Sequence, residues 1–142
     1  MSTARVSPIA PPGSLLKGVL PPKKGAREHK TKPVRNTDAG HLEAIRQCAC
    51  VACLTDPCGE AAHVRMTAPG KPAPGMAMRP DDEYAVPLCH TCHMRQHELG
   101  ELPYWRSLNL DPIKIAAALY RMSPNVEAMR AAVFAASAIS KA

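Results

Sequence analysis

The chain opens without a rhythm. Across residues 1–36 the apolar and polar positions follow neither a 3.6-residue nor a 2-residue period, and six of the fifteen prolines fall there, including Pro11-Pro12 and Pro21-Pro22. Such a segment cannot offset its ordering entropy by burial, so it reads as a disordered arm. A helical pattern then begins. Leu42 and Ile45 lie three apart within Ala39 to Gln47, and Asp38 is placed to cap the start. Ala61 to Met66 is short and β-compatible, as is Tyr84 to Leu88. Between them Pro69, Pro72, Pro74 and Pro80, with Gly70 and Gly75, mark a long loop from Thr67 to Pro80, and loops of that length are usually functional or mobile.

The pattern turns helical again from Thr91 or Cys92 to Leu99, and Gly100 suits the residue just past a helix end. Two further helices open on proline: Pro112 to Arg121 behind Asp111, and Pro124 to Ile139 behind Ser123. Ile113, Ala116, Ala117 and Tyr120 give the first an apolar face, and Val126, Met129, Ala132 and Val133 the second. The expectation is an α+β fold with three regions: an arm over 1–36, a central domain over 37–110, and a helical extension over 111–142.

Composition adds a constraint. One Trp, one Phe and three Tyr are all the aromatics available to fill a core, and much of the apolar content is alanine. A core so small calls for a staple, which six cysteines could supply as disulfides or as a metal site. Spacing decides between them. In Cys50-x2-Cys53 and Cys89-x2-Cys92 the two-residue gap lets both sulfurs of a turn point at one ion, so a structural zinc on these four is expected. Cys58 is the first substitute, Cys48 also competes, and His93 is an alternative fourth donor. Disulfides would need an oxidising compartment, and the first 20 residues hold no apolar run long enough for a signal peptide. No stretch approaches the length of a membrane span. The expected setting is a reducing cytoplasm.

The formal charge of +6 is unevenly placed. Residues 1–36 carry eight Lys and Arg against Glu28 alone, a net of +7, whereas the remaining 106 residues sum to −1. A basic arm attracts polyanions through counterion release without reading sequence. Lys23, Lys24, Arg27, Lys30, Lys32 and Arg35 are its candidate phosphate contacts, joined by Arg65 and Lys71 beside the long loop, which Arg79 also flanks. The plain alternative is a solvated tail that aids solubility.

The densest chemistry lies in Val86 to His97, VPLCHTCHMRQH. His93 and His97 stand at i and i+4, on one helix face, so both reach one point. Upstream, His63 sits in EAAHVR, while His29 and His41 read as surface residues and His90 as solvent-exposed. A strand with His63, a loop, a strand, then a helix with His93 and His97 is the order of a ββα-metal finger.

On Cys50-x2-Cys53, Ala61 to Arg65, Asp81 to Cys89 and Cys92-His93-x3-His97, the chain resembles the HNH endonucleases. Gly100-Glu101 and Tyr104-Trp105 resemble the version that many phages and prophages encode, and the likeness covers about residues 41–106. It implies a small zinc-stabilised ββα-metal (HNH) finger with flanking helices, which hydrolyses DNA phosphodiester bonds. His63 would be the general base, a role that suits a side chain titrating near neutrality. His93 and His97 would hold a catalytic divalent ion, Mg²⁺ or another, and the four cysteines would clamp the motif around zinc. A phage setting would add a role in recombination and leaves room for a recombinase partner. Where many members carry a metal-ligating His or Asp the chain has Ala62, and the family Asn, due near Tyr84, is absent. Asp82, or Asp81 beside it, is expected to supply the missing carboxylate, since hard divalent ions prefer oxygen. The alternative is a zinc module that binds DNA without cutting it.

Overall fold

The structure, a computed structural model, describes residues 34–141. The arm expected over 1–36 therefore falls mostly outside the described residues, and with it His29, Lys23, Lys24, Arg27, Lys30 and Lys32. Within them the order is α1 (Ala39–Arg46), β1 (Gly59–His63), a 3-10 turn (Asp82–Tyr84), β2 (Ala85–Cys89), α2 (His90–Leu99), α3 (Glu101–Ser107), α4 (Pro112–Met122) and α5 (Val126–Lys141). The class is α+β, with five helices and one two-stranded sheet among the described residues.

Residues 35 and 36, assigned from sequence to the arm, belong to the fold instead. Arg35 Nε donates to the Pro80 carbonyl at 3.0 Å, and its guanidinium pairs with Asp82. Asn36 exchanges two bonds with the Asp81–Asp82 segment, one through its N–H and one through its carbonyl. This docked stretch leads into α1, where the Asp38 side chain accepts from the His41 N–H at 2.8 Å, a cap worth about 1 kcal/mol. Ile45 and Ala44 are buried, Leu42 only partly, and His41 is buried too, contrary to its expected place at the surface. The cause is Tyr120 of α4, which meets the His41 ring edge-on at 5.0 Å. Burial lowers the His41 pKa despite nearby Asp38 and Asp82, so this ring is neutral.

β1 and β2 pair antiparallel from Gly59 opposite Cys89 to His63 opposite Ala85. The first strand thus starts two residues, and ends three residues, before the expected Ala61 to Met66. Its far end is diverted because the N–H groups of Arg65 and Met66 donate to the Glu101 carboxylate and not to a strand. β2 is buried along almost its whole length, since α1 and α4 both pack against it.

α2 ends at Gly100, whose φ of +84° lies in the region glycine favours, and α3 follows at once. Sequence patterning missed α3, which carries Tyr104 and Trp105 into the core. In α4 the buried face is Pro112, Ile115, Ala116 and Leu119; Ala117 is exposed, because the helix is rotated to meet β2 and α5. α5 begins at Val126, two residues later than expected, with the Asn125 side chain accepting from the Ala128 N–H at 3.1 Å. Leu119, Met129 and Val133 join Ile45, Val86, Leu88 and Trp105 in one cluster, so the C-terminal helices complete the core that supports the sheet. No helix among the described residues is long and apolar enough to cross a membrane.

Candidate metal centre and imidazole cleft

The knuckle after α1 is a tight turn: the Cys50 N–H donates to the Thr55 carbonyl, the Leu54 N–H to the Cys50 carbonyl, and Val51 N–H reaches Pro87 of β2. This brings Cys50 and Cys53 against the β2–α2 junction, where Cys89 precedes the helix and Cys92 lies in its first turn. The four sulfurs all lie within 4.8 Å of one another, and Cys53 and Cys89 are 3.6 Å apart. Four thiolates at ~2.3 Å from a tetrahedral zinc stand about 3.8 Å apart, so this set fits a metal ion of that kind. Without a cation the sulfurs cannot all ionise. Against the effect of burial, hydrogen bonds from Thr55 and the neighbouring sulfurs bring Cys53 down to about 6, whereas burial and the same neighbours push Cys92 well up.

Cys58 and Cys48, the alternative ligands, are elsewhere. Cys58 Sγ faces the carbonyls of Ile45 and Glu60, Cys48 Sγ that of Ala44, and burial pushes both thiols up to about 11. They are packed, protonated core groups. His93 is not the fourth donor either: the four sulfurs complete the set, and the His93 ring is turned toward Glu60 and His97.

The same helix presents those nitrogens to a second place. A cavity of about 590 Å³ is lined by His63 and Ala61 of β1, His93 and His97 of α2, Arg46, Arg65, and Met78 to Pro80 of the long loop. His63 Nε2 lies 2.9 Å from Asp82 Oδ1. Against the effect of burial, hydrogen bonds from His63, the Asp38 N–H and Arg35 hold the Asp82 carboxyl below the usual range. An ionised carboxylate only accepts, so Nε2 carries the proton and Nδ1 keeps the free lone pair. Burial lowers the His63 pKa more than Asp82 raises it, which leaves the ring neutral at pH 7.

His93 Nδ1 lies 2.7 Å from Glu60 Oε2, and His90 Nδ1 is 2.8 Å from Oε1 of the same carboxylate. These two hydrogen bonds, that of His93 first, hold the Glu60 pKa below the usual range. His93 Nε2 is left facing His97 Nε2 at 3.2 Å. Glu60 had no signal in the sequence: it is one acidic residue in a strand, and only the sheet register brings it to the first turn of α2.

Three expected site residues do other work. Asp82 is buried, with Oδ1 shared by His63 and Arg35 and Oδ2 accepting from the Asp38 N–H at 2.9 Å, so its carboxylate is taken up in holding His63 and the docked 35–38 stretch. Arg35 is the clamp on that carboxylate. Lys71 is 3% exposed, donates to the Met66 carbonyl and sits 4.8 Å above the Tyr84 ring, out of reach of a polyanion. Arg65 does line the cavity, with its guanidinium anchored on the Met78 carbonyl at 2.9 Å.

Comparison with family models, with curated proteins and with solved structures found no match. Function must therefore be argued from the chemistry of the two sites. The sulfur set suits zinc. The cleft brings the imidazoles of His63, His93 and His97 to one cavity, and the carboxylate that also lines it, Glu60, is hydrogen-bonded to His93 and His90.

Proposed function

We propose that the chain is a metal-dependent endonuclease of the HNH type, which hydrolyses DNA phosphodiester bonds. The observation that carries this reading is the meeting, on one cavity, of a carboxylate-oriented neutral imidazole and a convergent imidazole pair. The β1–β2–α2 order, with His63 on the first strand and His93 and His97 on the helix, supports it. The proposed structural zinc on Cys50, Cys53, Cys89 and Cys92 would fix that helix against the sheet, and free thiols suit a reducing cytoplasm.

In this reading His63 Nδ1 takes a proton from water as it attacks phosphorus, while Nε2–H stays on Asp82 and steadies the imidazolium that forms. Arg46, Arg65 and Arg79, which border the cavity, hold and neutralise the phosphodiester. A divalent ion held by His93 and His97, when bound, supplies Lewis-acid stabilisation of the phosphate and the departing 3′ oxygen. The basic arm adds phosphate contacts without sequence preference. A phage or prophage origin and a role in recombination belong to the family likeness alone.

One observation favours a second reading. Neither Ala62 nor the engaged Asp82 gives an ion a carboxylate, so the chain would be a zinc module that binds DNA without cutting. Incubating the purified chain with supercoiled plasmid and Mn²⁺, Zn²⁺ or Mg²⁺, beside His63→Ala, separates the two. Nicking that falls about 100-fold or more in the variant, a typical loss for a general base, selects the nuclease. Binding with no nicking selects the module.

A further inference from the structure

The carboxylate of Glu60 has no part in the chemistry above, yet it is the best-placed acidic group near the helix. It sits 2.7 Å from His93 Nδ1, on the side of the ring away from His97. Because an ionised carboxylate only accepts, Nδ1 must be the protonated nitrogen, and the His93 Nε2 lone pair is turned toward His97 Nε2. At 3.2 Å that lone pair is met either by a proton on His97 Nε2 or by a cation shared with it. The spacing suits a cation. Two Nε2 atoms bound to one ion at about 2.0–2.1 Å stand about 3.0–3.4 Å apart, depending on the angle.

A carboxylate behind a histidine whose other nitrogen faces an ion is the usual outer arrangement of metal centres, in which it fixes the tautomer and raises the basicity of the ligand. Glu60 can do this without binding the ion itself, because the ring stands between them. His90 Nδ1, 2.8 Å from the second carboxylate oxygen, fixes the orientation of Glu60 in turn. The charge here is arranged for nitrogen ligation. Of the two carboxylates expected to favour a hard ion, Asp82 is spent on His63, Arg35 and the Asp38 N–H, and Asp81 Oδ1 accepts from the Asn36 N–H.

We infer that Glu60 is the positioning residue of a second metal site, formed by His93 Nε2 and His97 Nε2, which takes a nitrogen-preferring transition ion in preference to Mg²⁺. The site is distinct from the thiolate centre although both draw on α2. Two protein donors leave several positions open for water or phosphate oxygen, so the ion is exchangeable and binds more weakly than the one on the thiolates. This rests on the nuclease reading of the cleft and deepens it, narrowing the expected Mg²⁺ or other divalent ion to a nitrogen-preferring one.

The test is calorimetric titration of the full chain, already loaded with one equivalent of Zn²⁺, using Co²⁺, Mn²⁺ and Mg²⁺ as probes. One further Co²⁺ or Mn²⁺ is expected to bind, with Mg²⁺ at least 100-fold weaker. His97→Ala should abolish that second event. Glu60→Gln should weaken it about 10- to 100-fold with the first zinc retained, the range seen when such outer partners are removed. Glu60→Asp, which keeps the charge, should recover part of the loss. Imidazole ¹⁵N shifts give a second readout: His93 is held as the Nδ1–H tautomer in the native chain and becomes mixed in Glu60→Gln. A stoichiometry of one ion, equal binding of Mg²⁺, or a Glu60→Gln affinity within twofold of native overturns the inference. Binding as expected with intact plasmid leaves it standing and removes the nuclease reading. Nicking by Mg²⁺ alone that survives His93→Ala does the reverse.

Discussion

The two donor clusters of this protein share a helix but are built on opposite plans. At the β2–α2 junction four sulfurs from two turns close around one point and leave no position open. Beside it on α2, two imidazoles converge with nothing further from the chain completing the set, and one of them, that of His93, is backed by the Glu60 carboxylate. A closed set of thiolates holds a fold together, whereas an open set of nitrogens beside a basic cavity leaves room for a substrate. Cys92 and His93 are adjacent in sequence, so any loosening of the first cluster also moves the second. The converse does not hold.

That asymmetry sets the largest expected effect. Cys50→Ser or Cys89→Ser removes one of four thiolates from a site worth on the order of 10 kcal/mol of folding free energy in small zinc modules. The variants should lose zinc stoichiometry and cooperative unfolding together, as read by metal analysis and circular dichroism, and prolonged chelation of the native chain should mimic them. His97→Ala should keep its zinc and melt within a few degrees of native. If both variants unfolded alike, the division between a structural and an exchangeable cluster would be lost.

The next effect belongs to the cleft alone. His63→Ala should lower plasmid nicking by about 100- to 10,000-fold while zinc content, melting and DNA affinity stay near native. A comparable loss in DNA affinity would instead make His63 a binding residue.

The closed cluster was readable in the sequence because its signal is local. A two-residue gap between cysteines states its geometry, and the repeat of that gap at 50/53 and 89/92 singled out four of six thiols. The i, i+4 spacing of His93 and His97 was legible for the same reason. What could not be read depends on packing between distant segments. Asp82 looked like a metal ligand because of its place in the chain, but residues 35–38 dock onto it and turn its carboxylate to His63. Glu60 reaches α2 only through the strand register, and His41 is buried only because α4 lies across α1. The helix at Glu101–Ser107 was hidden by Pro103, which falls in its first turn where no intrahelical N–H is needed.

Asp82 gives a finer break between the plans, because it should affect rate and pH dependence but not metal content. The proposed general base would work in its neutral form, so nicking should fall as pH drops through the His63 pKa, which burial holds below its ordinary value of about 6.5. Asp82 raises that pKa. Asp82→Asn should therefore move the acid limb to lower pH, and the lost tautomer control should lower the plateau by up to about 10,000-fold, no more than the largest loss expected for His63→Ala. Zinc stoichiometry and the second-ion affinity should be unchanged. An acid limb that moved upward would mean that Asp82 does not act through His63. A fall in second-ion affinity would return it to the metal.

The smallest effect separates cations that serve the cleft from one that serves the fold. Lys71 and Arg79 flank the same loop, yet Lys71 is buried under Tyr84 with its pKa lowered by desolvation, whereas Arg79 lines the cavity. Lys71→Met removes a bond to the Met66 carbonyl and a cation over a ring, but it also removes the penalty of holding an ammonium away from water. Those terms oppose each other, so the stability change should stay within about 1–2 kcal/mol. DNA affinity and its salt slope should not move. Arg79→Ala should leave stability almost untouched and reduce the slope of log affinity against log salt by about one phosphate contact. Measuring both by fluorescence anisotropy at several salt concentrations makes the contrast internal to one loop. A salt slope that fell with Lys71→Met and held with Arg79→Ala would mean that the loop opens on DNA, and that the cleft is as adaptable in its walls as in its ion.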